Sequence, residues 1–310
     1  MFTKPGSFGV GSILYQMMES QQIRAQDSTG VAIYDIKSSR KNKICIANDR
    51  SDKNDEDNNI GSSDQTFKIG YLEKSHNDGF KNFEDQVPAK DVEVFLEKLR
   101  QNPNVLITSF AKEMILLKDI GLVRDLDSLY KIRTICGSHG IGHLRIATSS
   151  RVALYNAHPF STTVMPDLAI VHNGEIANYP KLRASLELKG YPFYSNCDSE
   201  VIAVFIADQM LMHGDIEKAH NEFVKFADGP FTYIAATNSS IALVRDRFGS
   251  RKGIVGYNPG VGHDDNNSAT AIHPPFWAMA TDLSALDLVG ATYNIETPKP
   301  GKPKIFYRER

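Results

Sequence analysis

The stretches GHLRIAT at residues 142–148 and LAIVHNGE at residues 168–175 decide the fold class. LAIVH is an apolar run of the length expected for a buried strand, and it ends in Asn173-Gly174, a pair that favours a tight turn. From Gly137 onward, short runs of this kind alternate with glycines and histidines. This half of the chain therefore predicts a sheet built from short strands.

The segments on either side of these stretches predict helices and a hairpin. Residues 10–18 repeat apolar side chains at helical spacing, which favours an amphipathic helix. A second helix should begin at Asp198, and it is apolar nearly all round, so it should be buried. Residues 231–237 and 240–245 predict two strands joined by a tight turn. Strands that come as hairpins favour an α+β layered fold over a doubly wound parallel sheet.

Other segments complete this outline. Residues 90–103 and 109–131 have apolar patterns that predict two further helices, and a helix after Asn178 should be capped by that side chain. Residues 30–34, 276–281 and 304–307 predict short strands. Polar insertions are expected near 38–66 and 257–275, because both segments have few apolar residues.

The composition excludes several classes of protein. The net charge of −2 gives no basic excess for binding nucleic acid, and no apolar run approaches a membrane span. The three cysteines lack CxxC spacing and suggest neither a disulfide framework nor a metal site. We therefore expect a cytoplasmic protein with no nucleic-acid or membrane partner.

Four clusters of residues carry the chemistry, although each is weak alone. An Asn-Gly pair is most often only a turn, a single arginine is most often a solvated charge, and an aspartate before a helix is most often a cap. The clusters become informative when they are taken together, in their order along the chain. The clusters are RAQDSTG at 24–30, GHLRIAT at 142–148, NAHPF at 156–160 with HNGE at 172–175, and CDSE at 197–200.

In this order, the clusters resemble the pattern of the class II glutamine amidotransferases, over about residues 9–250. The likeness extends to the glutaminase subunits of archaeal-type glutamate synthase and N-methylglutamate synthase, in GIGHLRIATSS, NAHPFST and PGKPKIFY. The resemblance implies a four-layer αββα sandwich of the N-terminal-nucleophile hydrolase type. It also implies that residues 1–310 form a single glutamine amidotransferase type 2 domain.

The resemblance also implies roles for five residues. Arg145 should bind the substrate α-carboxylate, Asp198 should bind the α-ammonium, and Thr148 should line the pocket. Asn173 and Gly174 should form the oxyanion hole, whose donors stabilise a tetrahedral intermediate by about 3–4 kcal/mol each in comparable enzymes. The histidines should be structural, because this chemistry needs no imidazole. No metal is expected, and the chain shows no motif for a cofactor.

The family's nucleophile is an N-terminal cysteine at the start of a first strand, and the sequence begins instead with Met1-Phe2. Three explanations stay open. In the first explanation the start is set too far downstream, so that Met1 is an internal residue of that strand. In the second the chain is a pseudoenzyme that keeps the glutamine clamp. In the third explanation Cys136, which precedes a glycine as the family nucleophile does, takes its place.

The resemblance thus implies a glutaminase domain or subunit that hydrolyses L-glutamine to glutamate and ammonia. A separate synthase subunit, like that of glutamate synthase, would accept the ammonia. The alternative is a catalytically inactive subunit that binds glutamine or serves in assembly.

Overall fold

A computed structural model describes residues 9–35, 66–74, 80–146, 152–260 and 274–308. The elements in these ranges are named here in chain order. The helices are α1 Val10–Gln21, α2 Val92–Arg100, α3 Val123–Tyr130, α4 Tyr179–Glu187, α5 Asp198–His213, α6 Ile216–Phe226 and α7 Leu283–Leu288. The strands are β1 Ser28–Tyr34, β2 Thr66–Lys74, β3 Phe80–Pro88, β4 Val105–Ala111, β5 Met114–Ile120, β6 His139–Arg145, β7 Phe160–Ser161, β8 Ala169–Gly174, β9 Phe231–Thr237, β10 Ser240–Arg245, β11 Ile254–Asn258, β12 Phe276–Ala280, β13 Tyr293–Glu296 and β14 Lys304–Tyr307.

Two antiparallel sheets form the centre of the molecule. The first has the strand order β5-β1-β6, and the second has the order β14-β10-β9-β8-β7. A third sheet has the order β12-β11-β13. Like the first sheet, it contributes side chains to two hydrophobic cores, one with α1, α3 and α7 and one shared with the second sheet. A fourth sheet, β3-β2-β4, packs with α2 in a separate cluster.

Side chains along β1 show how the layers stack. Val31 and Ile33 pack with α1, α3 and α7, whereas Ala32 and Tyr34 point to the opposite face. There they meet side chains of the second sheet, including Val171. Because successive side chains of a strand point to opposite faces, one fully buried strand serves both cores.

The other face of the second sheet is covered by α4, α5 and α6. Helix α5 lies in the middle of this layer, and its residues from Ser199 to Asp208 are all buried. This position explains why α5 is apolar on every side. The order of layers is thus helices, sheet, sheet, helices, and the expected αββα sandwich is confirmed.

Several sequence-based expectations need correction. Residues 109–131 do not form one helix, because they contain the end of β4, all of β5 and then α3. Asn178 does precede α4, but its side chain makes no cap and instead donates to the Phe226 carbonyl at 2.8 Å. Strand β11 extends to Asn258, two residues into the segment expected to be an insertion. Most of both expected insertions lies outside the described residues.

Candidate functional site

Three chain segments meet at one end of the sandwich. Arg145 is the last residue of β6, Asn173 and Gly174 are the last residues of β8, and Asp198 is the first residue of α5. Strands β6 and β8 belong to different sheets and pack against each other, so their ends lie at the same edge. The fold therefore gathers residues that are more than fifty positions apart.

A hydrogen bond ties Asp198 to the segment that follows β8. Its Oδ2 accepts from the backbone N–H of Ile176 at 2.8 Å, two residues beyond Gly174. The Asp198 side chain is 18% exposed, whereas Asn173 is exposed and Gly174 is half-buried. The carboxylate and the Asn-Gly pair thus border the same partly open space.

The conformation of Gly174 excludes any other residue. Its φ is +134°, and a Cβ built there would lie 2.1 Å from the Pro230 carbonyl oxygen and 2.8 Å from the Phe231 Cα. Both atoms are backbone, so neither can move aside as a flexible side chain would. Only glycine, which has no Cβ, lets the two backbone segments approach this closely.

Arg145 approaches from the opposite sheet. Its side chain is only 7% exposed, and Asp27 donates a backbone N–H to its carbonyl at 3.0 Å. Its positive charge contributes to lowering the pKa of His143 and of His158, although burial is the largest cause for both residues. The same charge acts on the Cys197 thiol, next to Asp198. The guanidinium therefore lies among the side chains that surround the start of α5.

Between Arg145 and Asp198 lies a buried group of three histidines. His143 stacks on His158 with 4.1 Å between ring centroids. His158 Nε2 and His172 Nδ1 both contact the Ser199 hydroxyl, at 3.0 Å and 2.8 Å. Burial is the first cause that lowers the pKa of each, to about 3 for His143, so all three are neutral at pH 7.

The free thiol in this region is not set up as a nucleophile. Cys197 is buried at the N-cap position of α5, with its Sγ 3.5 Å from Asp198 Oδ1. Burial and then the Asp198 charge raise the pKa of the thiol to about 11. The thiolate, which is the reactive form, is therefore scarce at pH 7.

A buried lysine holds the turn that carries His158. Lys118 on β5 donates from Nζ to the carbonyls of Ala157, at 2.9 Å, and Pro159, at 3.4 Å. Burial lowers the pKa of its ammonium to about 8. Sequence reasoning missed Lys118, because a single lysine in MILLKDI gives no signal of burial. It also assigned no role to Ser199, although Ser199 lies within the quoted CDSE motif.

Other residues singled out from the sequence lie apart from this group or outside the described residues. Thr148 lies outside the described residues. Cys136 is disulfide-bonded, although the spacing of the cysteines suggested no disulfide framework, and a bonded sulfur is no nucleophile. Arg24 is largely exposed and pairs with Asp282 at 2.5 Å.

The site residues are not in the groove detected along α6. That groove has a volume of about 640 Å³, and it is lined by residues of α6 together with Arg247 and Lys302. The pocket that Thr148 is expected to line stays a prediction. Within the described ranges, no set of three or more His, Cys, Asp or Glu side chains is arranged to hold a metal ion. None of the helices described is both long and apolar enough to cross a membrane.

Comparisons with known proteins agree on one family. Residues 143–260 match the model described as a glutamine amidotransferase domain. A putative glutamine amidotransferase of Methanothermobacter thermautotrophicus is 33% identical over 203 residues, which is 66% of this chain and 62% of that protein. The glutamine amidotransferase-like protein GlxB of Rhizobium meliloti is 30% identical over 254 residues, which is 79% of this chain and 80% of that protein.

A solved structure shares the fold over nearly the whole chain. The glutamine phosphoribosylpyrophosphate amidotransferase of B. subtilis superposes with a TM-score of 0.59 at 18% identity. The alignment covers 97% of this chain and 46% of that one. The chain thus spans about half of that enzyme and somewhat under two thirds of the Methanothermobacter protein.

Proposed function

Because the chain belongs to the glutamine amidotransferase family, we propose that it is a glutaminase domain that hydrolyses L-glutamine to glutamate and ammonia. The observation that carries the proposal is the meeting of Arg145, Asp198 and the Asn173-Gly174 pair at one edge of the sandwich. A buried guanidinium and a carboxylate together match the two charges of an amino acid. The exposed Asn-Gly pair beside them suits the side-chain amide.

In this reaction a thiolate attacks the amide carbon of glutamine, and the carbonyl oxygen becomes an oxyanion. The Asn173 side-chain amide and the Gly174 N–H would donate to that oxyanion. Ammonia leaves as the tetrahedral intermediate collapses to a thioester, and water then releases glutamate and restores the thiol. The reaction requires no cofactor from this chain, and Thr148 is proposed to line the pocket.

The source of the thiolate is the open part of the proposal. Disulfide-bonded Cys136 and buried Cys197 are both unsuited to the role. We therefore propose an N-terminal cysteine encoded upstream of Met1, whose α-amino group would titrate near neutrality and act as the base. A thiolate needs a reducing compartment such as the cytoplasm, and the disulfide at Cys136 is the observation that weighs against that location.

The inactive alternative is favoured by the same two cysteines. Cys136 is disulfide-bonded, and the pKa of the buried Cys197 thiol is raised, so the chain as written could bind glutamine without hydrolysing it. In either case we propose that ammonia use belongs to a separate synthase subunit, like that of glutamate synthase. The likeness of GIGHLRIATSS and PGKPKIFY to glutaminase subunits supports that choice.

Calorimetric titration with L-glutamine and an assay of ammonia release test the proposal. The 310-residue chain should bind glutamine but release little ammonia, whereas a form extended upstream to the cysteine should do both. Changing Asp198 to Asn should weaken binding about 100-fold, because an unpaired buried charge costs about 2–5 kcal/mol. Asp208→Asn, on the same helix but paired with Lys189, is the matched control and should leave binding unchanged.

Three outcomes would contradict the proposal or a part of it. Absence of glutamine binding by either form would end the assignment of Arg145 and Asp198. Binding by the extended form without ammonia release would favour the inactive alternative. Robust turnover by the 310-residue form would show that the nucleophile is already present in this chain.

A further inference from the structure

The Ser199 hydroxyl is the centre of the buried polar group at the site. It is 1% exposed, and its Oγ lies within hydrogen-bond distance of His158 Nε2, His172 Nδ1 and Asp198 Oδ1, at 3.0, 2.8 and 3.3 Å. The Cys197 Sγ is 3.5 Å from the same Ser199 oxygen. The glutaminase reaction proposed above assigns no step to this hydroxyl.

The donors and acceptors of these groups fix where the protons lie. A serine hydroxyl has one proton and two lone pairs, whereas a carboxylate only accepts. The Ser199 proton therefore goes to Asp198 Oδ1, and the weaker Cys197 thiol donor also reaches that carboxylate oxygen at 3.5 Å. Both Ser199 lone pairs are then left for N–H groups of the histidines. In this assignment His158 carries its proton on Nε2, and His172 carries its proton on Nδ1.

The remaining ring nitrogens agree with this assignment. Within the described residues, His158 Nδ1 and His172 Nε2 have no hydrogen-bond partner. A buried N–H without a partner is rarer than a buried acceptor without one, so these two nitrogens are the ones without protons. Burial lowers the pKa of both rings, which keeps them neutral with a single proton each.

Asp198 is thereby held at both oxygens. The Ile176 N–H binds Oδ2 at 2.8 Å, and the Ser199 hydroxyl binds Oδ1. His172 Nδ1 is 3.9 Å from the same Oδ1, so its N–H adds a favourable field. A carboxylate fixed in this way presents its remaining lone pairs in one direction, which suits a cation better than a rotating side chain does.

We propose that Ser199 is a positioning residue, which fixes the Asp198 carboxylate for the ligand's α-ammonium by bridging His158 and His172 in opposite tautomers. The proposal rests on the proposed function for its ligand. It adds a residue that never touches glutamine, and a statement about protons that can be examined without any ligand.

The first test uses two ligands that differ only in the α-ammonium. Calorimetry on the full chain measures L-glutamine and 4-carbamoylbutanoate, which lacks the amine. Ser199→Ala should weaken glutamine binding about tenfold, the size expected for one lost hydrogen bond to a charged group, and should leave the analogue within about twofold. Ser199→Thr, which keeps the hydroxyl, should restore glutamine binding.

A matched control exists at the other end of β6. The Ser138 hydroxyl also contacts a buried histidine, with 2.9 Å between its Oγ and His139 Nδ1. Ser138→Ala makes the same change of side chain at an equivalent contact, and glutamine affinity should not change. Equal losses for glutamine and the analogue in Ser199→Ala would show a general distortion and overturn the positioning role.

The second test measures the protons directly. Proton–nitrogen correlation spectra of the ¹⁵N-histidine-labelled wild type should show the Nε2–H form for His158 and the Nδ1–H form for His172. The reverse tautomer at either ring would overturn the bridge. If the wild type binds neither ligand, the proposed function fails, and the spectra alone decide whether the bridge exists.

Discussion

The two ends of β6 both carry buried histidines, and their surroundings differ. At the first end, His139 Nε2 contacts the Thr237 carbonyl at 2.7 Å, its Nδ1 contacts Ser138, and its ring stacks on Tyr34 at 4.4 Å. The Tyr34 hydroxyl in turn donates to the Ala236 carbonyl at 2.9 Å. At the other end, His158 and His172 contact the Ser199 hydroxyl, and His143 stacks on His158 and bonds to the backbone of His172 in the second sheet.

The difference separates a structural histidine from a supporting one. His139 and Tyr34 belong to the first sheet and bond to carbonyls of the second, so they join the two sheets with both ring nitrogens satisfied. At the site end, His143, His158 and His172 each have a ring nitrogen without a partner among the described residues. Buried polar groups without partners are uncommon, and they concentrate where a protein performs chemistry.

Acid should produce the largest loss of unfolding free energy, and the histidines at both ends of β6 should contribute to it alike. Burial lowers the pKa of His139 and of His143 to about 3, whereas an unfolded histidine titrates near pH 6.5. As the pH falls from about 6.5 toward 3, the unfolded chain takes up protons that the folded chain refuses. Each such histidine should therefore remove about 1.4 kcal/mol of unfolding free energy per pH unit in that window.

Urea unfolding at a series of pH values between 7 and 4.5 measures this loss. His139→Gln and His143→Gln should each reduce the slope by a similar amount, but only His143→Gln should also weaken glutamine binding. A stability that does not change between pH 7 and 5 would mean that these rings are not buried and neutral. An equal loss of binding in both variants would remove the distinction between the two ends.

The site end should tolerate no side chain at Gly174. Gly174→Ala combines a strained φ with backbone atoms 2.1 and 2.8 Å from the new Cβ, so it should lower the unfolding free energy by about 3 kcal/mol or more. Gly190→Ala is the matched control, because its φ is +89° but no atom of the described residues lies within 4 Å of a Cβ built there. It should cost about 1 kcal/mol. Thermal denaturation compares the two variants, and equal losses would show that the close approach at Gly174 is absent.

Much of this arrangement could be predicted from local sequence. LAIVHNG predicts β8 and its glycine, and CDSE before an apolar run predicts the start of α5, because both signals lie within a few residues. The αββα architecture came from family resemblance. The segment 109–131 was wrongly predicted as helical, because its apolar residues also fit helical spacing. Pairing of β4 with β2 and of β5 with β1 decided the outcome, and such pairing cannot be seen locally.

Roles that depend on distant partners could not be predicted. Ser199 acquires its role only when His158 and His172, from separate segments, fold onto it. Lys118 acquires its role from two carbonyls about forty positions away. The structural role expected for the histidines agrees with their burial, but the sequence does not distinguish His139 from His143.

The smallest expected effect concerns the end of β6 that joins the sheets. Tyr34→Phe removes the bond to the Ala236 carbonyl while keeping the ring that stacks on His139, so it should lower the unfolding free energy by about 1 kcal/mol. Glutamine affinity should not change, because none of the described residues at the site end contacts this hydroxyl. Tyr71→Phe is the control, since its hydroxyl bonds to Asp85 at an exposed position where water can replace it. Chemical denaturation resolves the difference, and a loss of glutamine affinity in Tyr34→Phe would show that the two ends of β6 are coupled after all.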